Sequence, residues 1–226
     1  MLYIFDMGGV VTNSAVLDDK LSKVLGISVE EFERICGKKT DGANKGQLES
    51  LGLFSLCSDG IIDTNEFWAE FSKRSGIAVK TDWFRWLFHP VRNEKTVAIV
   101  KTLRSEGNRV VCGTNTVSAH YFNHLERGDY AIFDQTYSSC YMGVSKPDTN
   151  FWKIILEAEN VPAKDTVFVD DRKDNCEAAA SIGIHAIQFT TAEEAAKLLG
   201  VKIEFVFFQQ SINSSMNCWI PPNHFC

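Results

Sequence analysis

Asp6 ends the apolar run Leu2-Tyr3-Ile4-Phe5 and is followed by Met7-Gly8-Gly9-Val10. Ligands of open α/β sheets bind beyond the carboxyl ends of the strands. A carboxylate there, followed by glycines that let the backbone turn, is therefore well placed for chemistry. Three later segments add to it. Val110-Val111-Cys112-Gly113 ends in the hydroxyl of Thr114 and runs on to Asn115. Ser145-Lys146-Pro147 sets a cation ahead of a helical pattern, and Val167-Phe168-Val169 ends in the pair Asp170-Asp171. A carboxylate is ionised at neutral pH and can serve as a nucleophile. A hydroxyl at a strand end that leads into a helix suits an anion. A fixed lysine offsets negative charge in a transition state, and paired carboxylates suit a hard divalent cation. These are the parts that phosphoryl transfer needs.

Taken in order, as Asp, then Thr, then Lys, then an acidic pair, the four segments resemble the haloacid dehalogenase (HAD) superfamily. Most of its members are magnesium-dependent phosphatases. The resemblance covers about residues 1–200. It implies Asp6 as the nucleophile and a Mg²⁺ ion held by Asp6, the backbone carbonyl of Gly8 and Asp171, with Asp170 ligating directly or through water. It also implies that the Thr114 hydroxyl and the Asn115 backbone N–H grip the phosphate, and that Lys146 acts on both Asp6 and the phosphate. Asn175, four residues after Asp171, would orient the acidic loop. Asp148 is placed to cap the helix after Pro147.

One position departs from the family pattern. Most HAD phosphatases carry a second Asp two residues after the nucleophile, as general acid and then general base; here it is Gly8. Such help is worth about 10²–10⁴-fold. Three readings follow. Dehalogenases also lack that Asp, because a halide leaves without a proton, but they need no metal and typically lack the acidic pair. A phosphatase for good leaving groups is the second reading. The segment Phe5-Asp6-Met7-Gly8-Gly9-Val10 and the element Asp170-Asp171-x-x-x-Asn175 are similar to those of α-glucose-1-phosphate phosphatase-type proteins. The third is a HAD-fold binding protein with little or no turnover. The acidic pair favours a phosphatase-like hydrolase acting on a small phosphomonoester such as a sugar phosphate.

A net charge of −6 and a pI near 5.4 argue against nucleic acid or an anionic membrane surface as the main partner. No apolar run reaches the roughly 20 residues of a spanning helix, and the N-terminus enters the first strand directly, so no leader segment is expected. Seven cysteines, an odd number with no Cys-x-x-Cys spacing, read as thiols of a reducing cytoplasm. No obligate protein partner is evident.

Those residues need a scaffold. Periodicity places strands at 2–6, 109–114, 131–134, 166–170 and 185–189. Helices fall at 93–106, 117–126, 149–160, 173–182 and 192–199. Strands alternating with helices imply an α/β, Rossmann-like parallel sheet with helices on both faces. Between strand one and residue 90 the pattern is helical. Leu17, Leu21 and Leu25 share a face, Ser28 to Glu31 reads as a capping box, and Asp63 or Thr64 caps a helix with Phe67, Trp68 and Phe71. A further apolar helix spans Trp83–Phe88, and a short one is expected near Leu48–Leu53. The expected division is a core of residues 1–13 and 90–204, an all-helical cap at 14–89 and a C-terminal extension at 205–226. Residues near Asn44–Glu49 are expected to bear on the substrate.

Overall fold

The computed structural model describes residues 1–14, 17–37 and 52–202. The expectations for Asn44–Glu49 and for the extension after residue 204 fall outside these residues. The chain runs β1 (Leu2–Phe5), α1 (Asp18–Leu25), α2 (Val29–Cys36), α3 (Leu53–Ser58), α4 (Thr64–Ser75) and α5 (Trp83–Leu87). It continues through α6 (Glu94–Ser105), β2 (Arg109–Thr114), α7 (Ser118–Glu126), β3 (Gln135–Ser138), α8 (Ser139–Met142) and α9 (Asn150–Glu159). The last elements are β4 (Thr166–Asp170), α10 (Lys173–Ser181), β5 (His185–Gln188) and α11 (Ala192–Leu198).

The strands form one sheet in the order β3-β2-β1-β4-β5, and every pair is parallel. Alternation along β1 sends Tyr3 and Phe5 to one face and Leu2 and Ile4 to the other. On the first face they join Val97, Val100 and Leu103 of α6 and Ala195 of α11. On the second they meet Phe151, Trp152 and Ile155 of α9 and Ala179 of α10. A sheet covered on both faces needs apolar residues at successive positions, and β1, β2 and β4 are buried almost throughout.

Helices α1 to α5 share a separate cluster built on Leu21, Phe32, Phe67, Trp68, Phe71 and Phe84, which also takes in Val117 just ahead of α7 and Ala119 within it. Asp63 caps α4 with a complete capping box to Glu66. At α2 only half of the expected box forms. Ser28 accepts from Glu31 N–H at 3.2 Å, but the Glu31 carboxylate turns to Arg34 instead. The chain leaves and re-enters the sheet region side by side: Asn13 N–H donates to Val91 O at 2.9 Å and Asn93 N–H to Val11 O at 2.8 Å.

The expected strand at 131–134 is corrected. Residues Asp129–Ile132 form a 3-10 turn, and the strand is Gln135–Ser138. The buried apolar residues Tyr130, Ile132 and Phe133 mimic a strand but pack under the first face. The true edge strand is the polar run Gln-Thr-Tyr-Ser. Of the short helix expected near Leu48–Leu53, residues 48–51 fall outside the described residues, and a helix begins at Leu53.

Candidate active site

Three adjacent strands bring the site together. Asp6 N–H donates to Val169 O at 2.9 Å, which continues the β1–β4 ladder by one residue. The carboxylate thus leaves the sheet between the ends of β2 and β4, carrying Thr114 and Asp170. Into that gap comes Lys146 from the loop after α8. Its Nζ donates to Asp6 Oδ1 at 2.8 Å, Asp170 Oδ2 at 2.7 Å and Gly113 O at 2.9 Å. All three hydrogens of the ammonium are used, and Lys146 is only 5% exposed. Burial alone would lower its pKa, yet the two carboxylates outweigh that and raise it.

The loop that carries Lys146 is clasped by Asn115. The Asn115 side chain donates to Lys146 O at 2.9 Å and accepts from Lys146 N–H at 2.9 Å. The resemblance implied only a backbone N–H for Asn115, so this use of its amide is an addition. Thr114, buried, closes β2 one residue after the carbonyl that holds the lysine.

Asp170 and Asp171 differ in what surrounds them. Asp170 Oδ2 is taken by Lys146. Its Oδ1 accepts from Arg172 N–H at 2.8 Å and from Asn175 Nδ2 at 3.1 Å. Asn175, in the first turn of α10, keeps a buried Oδ1 with no hydrogen-bond partner. Asp171 is half-buried and lies against Gly9, where an added Cβ would overlap its carboxylate. Gly9 has a φ of +83°, so glycine suits that position twice over.

Asp6, Asp170 and Asp171 each offer a carboxylate oxygen within 4.8 Å of the others. Two ligands across a magnesium ion would stand about 4.2 Å apart, twice the metal–oxygen distance of about 2.1 Å. Three carboxylates against one ammonium leave an excess of negative charge. Burial pushes the Asp6 carboxyl up to about 6, with Asp170 adding to the shift and Lys146 opposing it. Asp171 is raised by burial and then by Asp170. The donor set therefore fits a hard divalent cation. Lys146 lies among these carboxylates, Asn115 holds its backbone, Asn175 holds Asp170 and Thr114 ends the neighbouring strand, with Gly8 exposed on the loop after Asp6.

Sequence reasoning missed a neighbouring set of hydroxyls. Ser139 Oγ accepts from Thr116 N–H at 3.0 Å and donates to Ser58 O at 2.6 Å, and Ser58 Oγ lies 3.3 Å from Ser145 Oγ. Serines carry no periodic signal, so only their adjacency to Asn115 and Lys146 could have drawn attention.

The chain is 28% identical over 211 residues to a sesquiterpene phosphatase of Aspergillus oryzae, covering 87% of this chain and 95% of that protein. It is 31% identical over 109 residues to a drimenol cyclase of Aspergillus calidoustus, but it spans only 21% of that protein's length. Among solved structures it resembles a HAD family enzyme of Bacteroides thetaiotaomicron in complex with magnesium and inorganic phosphate. The TM-score is 0.68 at 23% identity, over 87% of this chain and 98% of that one. That likeness shows the fold. The family model for haloacid dehalogenase-like hydrolases matches residues 1–183, and the chain belongs to that family.

Proposed function

We propose that this hydrolase is a Mg²⁺-dependent phosphatase that cleaves a small phosphomonoester through an aspartyl-phosphate on Asp6. The observation that carries the reading is Lys146, whose ammonium is bonded at once to Asp6 and Asp170 with Asp171 in ligand range. A carboxylate held this way keeps one oxygen oriented by the lysine while the other is available for attack. When bound, the cation would neutralise phosphate charge; Asp6, Asp171 and the Gly8 carbonyl would hold it, with Asp170 more engaged by its donors.

In the first step an Asp6 oxygen bonds to phosphorus and the ester P–O bond breaks. The alkoxide leaves with the bonding pair and takes a proton from water, since no side chain at residue 8 can donate one. Water then attacks phosphorus and the acyl-phosphate P–O bond breaks, so Asp6 regains its carboxylate; one of that water's protons stays on the released phosphate and the other neutralises the hydroxide left when the alkoxide was protonated. Lys146 stabilises the charge in both steps, and the Thr114 hydroxyl and Asn115 N–H orient the phosphate oxygens. Asn175 fixes the Asp170 loop.

Helices α1 to α5 act as a cap, joined to the core by the paired segments at Asn13 and Val91. Their separate apolar cluster supports that division. The expected substrate is a sugar phosphate. A second reading, the monophosphate of an apolar isoprenoid alcohol, rests on the likeness to a sesquiterpene phosphatase over most of both chains. The described cysteines Cys36, Cys57, Cys112, Cys140 and Cys176 are free thiols, which supports a cytoplasmic setting. No described helix is long and apolar enough to cross a membrane.

The test is a phosphate-release screen over sugar, nucleotide and sesquiterpenyl monophosphates, with and without Mg²⁺. Metal-stimulated release supports the proposal and its best substrate picks the class. Metal-independent halide release from 2-haloacids would instead mark a dehalogenase. Binding of a phosphate analogue with no turnover on any ester would mark a binding protein.

A further inference from the structure

Lys146 is held by its ammonium and by Asn115, but a third hold reaches it from outside the sheet. Ser145, the preceding residue, bonds through its hydroxyl to the Asp59 carboxylate and lies 3.3 Å from Ser58 Oγ. Ser58 is the last residue of α3 and Asp59 caps its C-terminal end. The same turn is fixed a second time. Ser139 Oγ donates to Ser58 O, and Ser58 Oγ lies 3.4 Å from Ser139 Oγ. It is fixed a third time at Gly60, whose φ is +65° and where a Cβ would overlap the Cys140 carbonyl. The backbones touch there, so the seat is specific in shape as well as in hydrogen bonding.

The consequence concerns one short stretch of chain. Ser145 and Lys146 are gripped on one side by Asn115, from the loop after β2, and on the other by Asp59 and Ser58, from α3. The Nζ of Lys146 must meet Asp6, Asp170 and Gly113 O together, and a shift of its backbone breaks that set. We propose that Ser58 and Asp59 are positioning residues: seating the C-terminal turn of α3 on Ser145 fixes the placement of Lys146. Turnover then depends on that turn being docked. The inference rests on the phosphatase reading for what Lys146 does, but not for where it sits.

A purely packing role for this contact would cost stability, whereas a positioning role costs rate. Misplacing a catalytic group by about 1 Å can cost 10²-fold. Asp59→Ala and Ser145→Ala should therefore each lower kcat on an aryl phosphate by roughly tenfold or more, with KM and melting temperature little changed. Because both act through one contact, the double variant should be no slower than the worse single. Asp59→Asn keeps an acceptor oxygen and should restore most of the rate lost in Asp59→Ala. Unchanged kcat, additive losses, or losses that track melting temperature would overturn the proposal. Hydrogen exchange of residues 143–148 gives a readout independent of turnover. Faster exchange there in Asp59→Ala supports the hold, and unchanged exchange refutes it. A wild-type protein with no turnover would sink the phosphatase reading and leave the exchange result to decide this one.

Discussion

Gly8 and Gly9 are adjacent, yet they differ in what they would tolerate. A Cβ on Gly9 would overlap the Asp171 carboxylate at a left-handed φ, whereas one on Gly8 meets nothing within 4 Å and needs no unusual backbone. The position where related phosphatases carry their proton donor is thus empty by composition, not by lack of room. Without a donor, the alkoxide must leave unaided. Wild-type kcat should then fall steeply as leaving-group pKa rises, with aryl and acyl phosphates cleaved faster than alkyl ones. Gly8→Asp should raise the rate on alkyl phosphates by about 10²-fold or more and change aryl phosphates little. A flat leaving-group series on the parent enzyme would show that another group supplies the proton. Asp6→Asn tests the nucleophile directly, since it keeps the side-chain shape and removes the charge. Turnover should vanish while the circular dichroism spectrum is retained, and a wild-type rate would refute the assignment. Lys146→Ala is a harsher change. It should lower kcat by about 10²–10³-fold, and it leaves two buried carboxylates unpaired, at a stability cost of about 3–5 kcal/mol. A urea titration alongside the assay separates the two effects.

At the scale of elements, α5 and α7 meet through an aromatic contact with a pH signature. The His120 ring stacks on Phe88 at 3.9 Å between centroids and lies edge-on to Phe84. Its Nε2 is buried with no partner. Burial, with His124 adding to it, lowers the His120 pKa to about 3 from the ordinary 6.5. The folded state therefore holds the neutral ring, while the unfolded chain protonates it below about pH 6.5. Stability from this residue is fully present above that pH and is lost as pH falls toward 3. At pH 5 the loss is about 2 kcal/mol. His124, nearby and hydrogen-bonded to Asp129, is also lowered and adds in the same direction. His120→Phe should flatten the stability profile between pH 6.5 and 5 in urea melts, and an unchanged slope would refute this account. The elements themselves were largely legible in the sequence. β2 and β4 have the expected bounds because each is a run of apolar residues buried on both faces. β3 was not legible. It is a polar edge strand, and its register comes from pairing with β2 and from Asp134, whose carboxylate accepts Val110 N–H at 2.8 Å. Likewise the candidate site residues were named from strand ends and from the order in which they resemble the HAD superfamily. The Asn115 clasp and the Ser58–Ser145 contact could not, because both join segments distant in sequence through residues with no pattern of their own.

The whole molecule carries a net charge of −6, and the site gathers three of its carboxylates. Asp6 and Asp170 are buried and Asp171 is half-buried, with one ammonium among them. In the unfolded chain these carboxylates separate into water, so a cation that needs all of them binds the folded state alone. Binding of that kind adds RT ln(1 + [L]/Kd) to stability, about 2.7 kcal/mol at a hundred times Kd. For a chain of this size each kcal/mol moves the melting temperature by about 2–4 °C. Saturating Mg²⁺ should thus raise the melting temperature by roughly 5–10 °C. Equal ionic strength supplied as NaCl should do far less, because screening acts on all exposed charges and coordinates nothing. The same measurement ranks the ligands. Asp171→Asn should abolish most of the Mg²⁺ shift, since Asp171 is the carboxylate least engaged by neighbouring donors. Removing Asp170 should first loosen Lys146 and Asn175, and so lower the melting temperature even without metal. A melting temperature that responds identically to Mg²⁺ and to NaCl, or a full Mg²⁺ shift in Asp171→Asn, would show that the three carboxylates do not form the cation site.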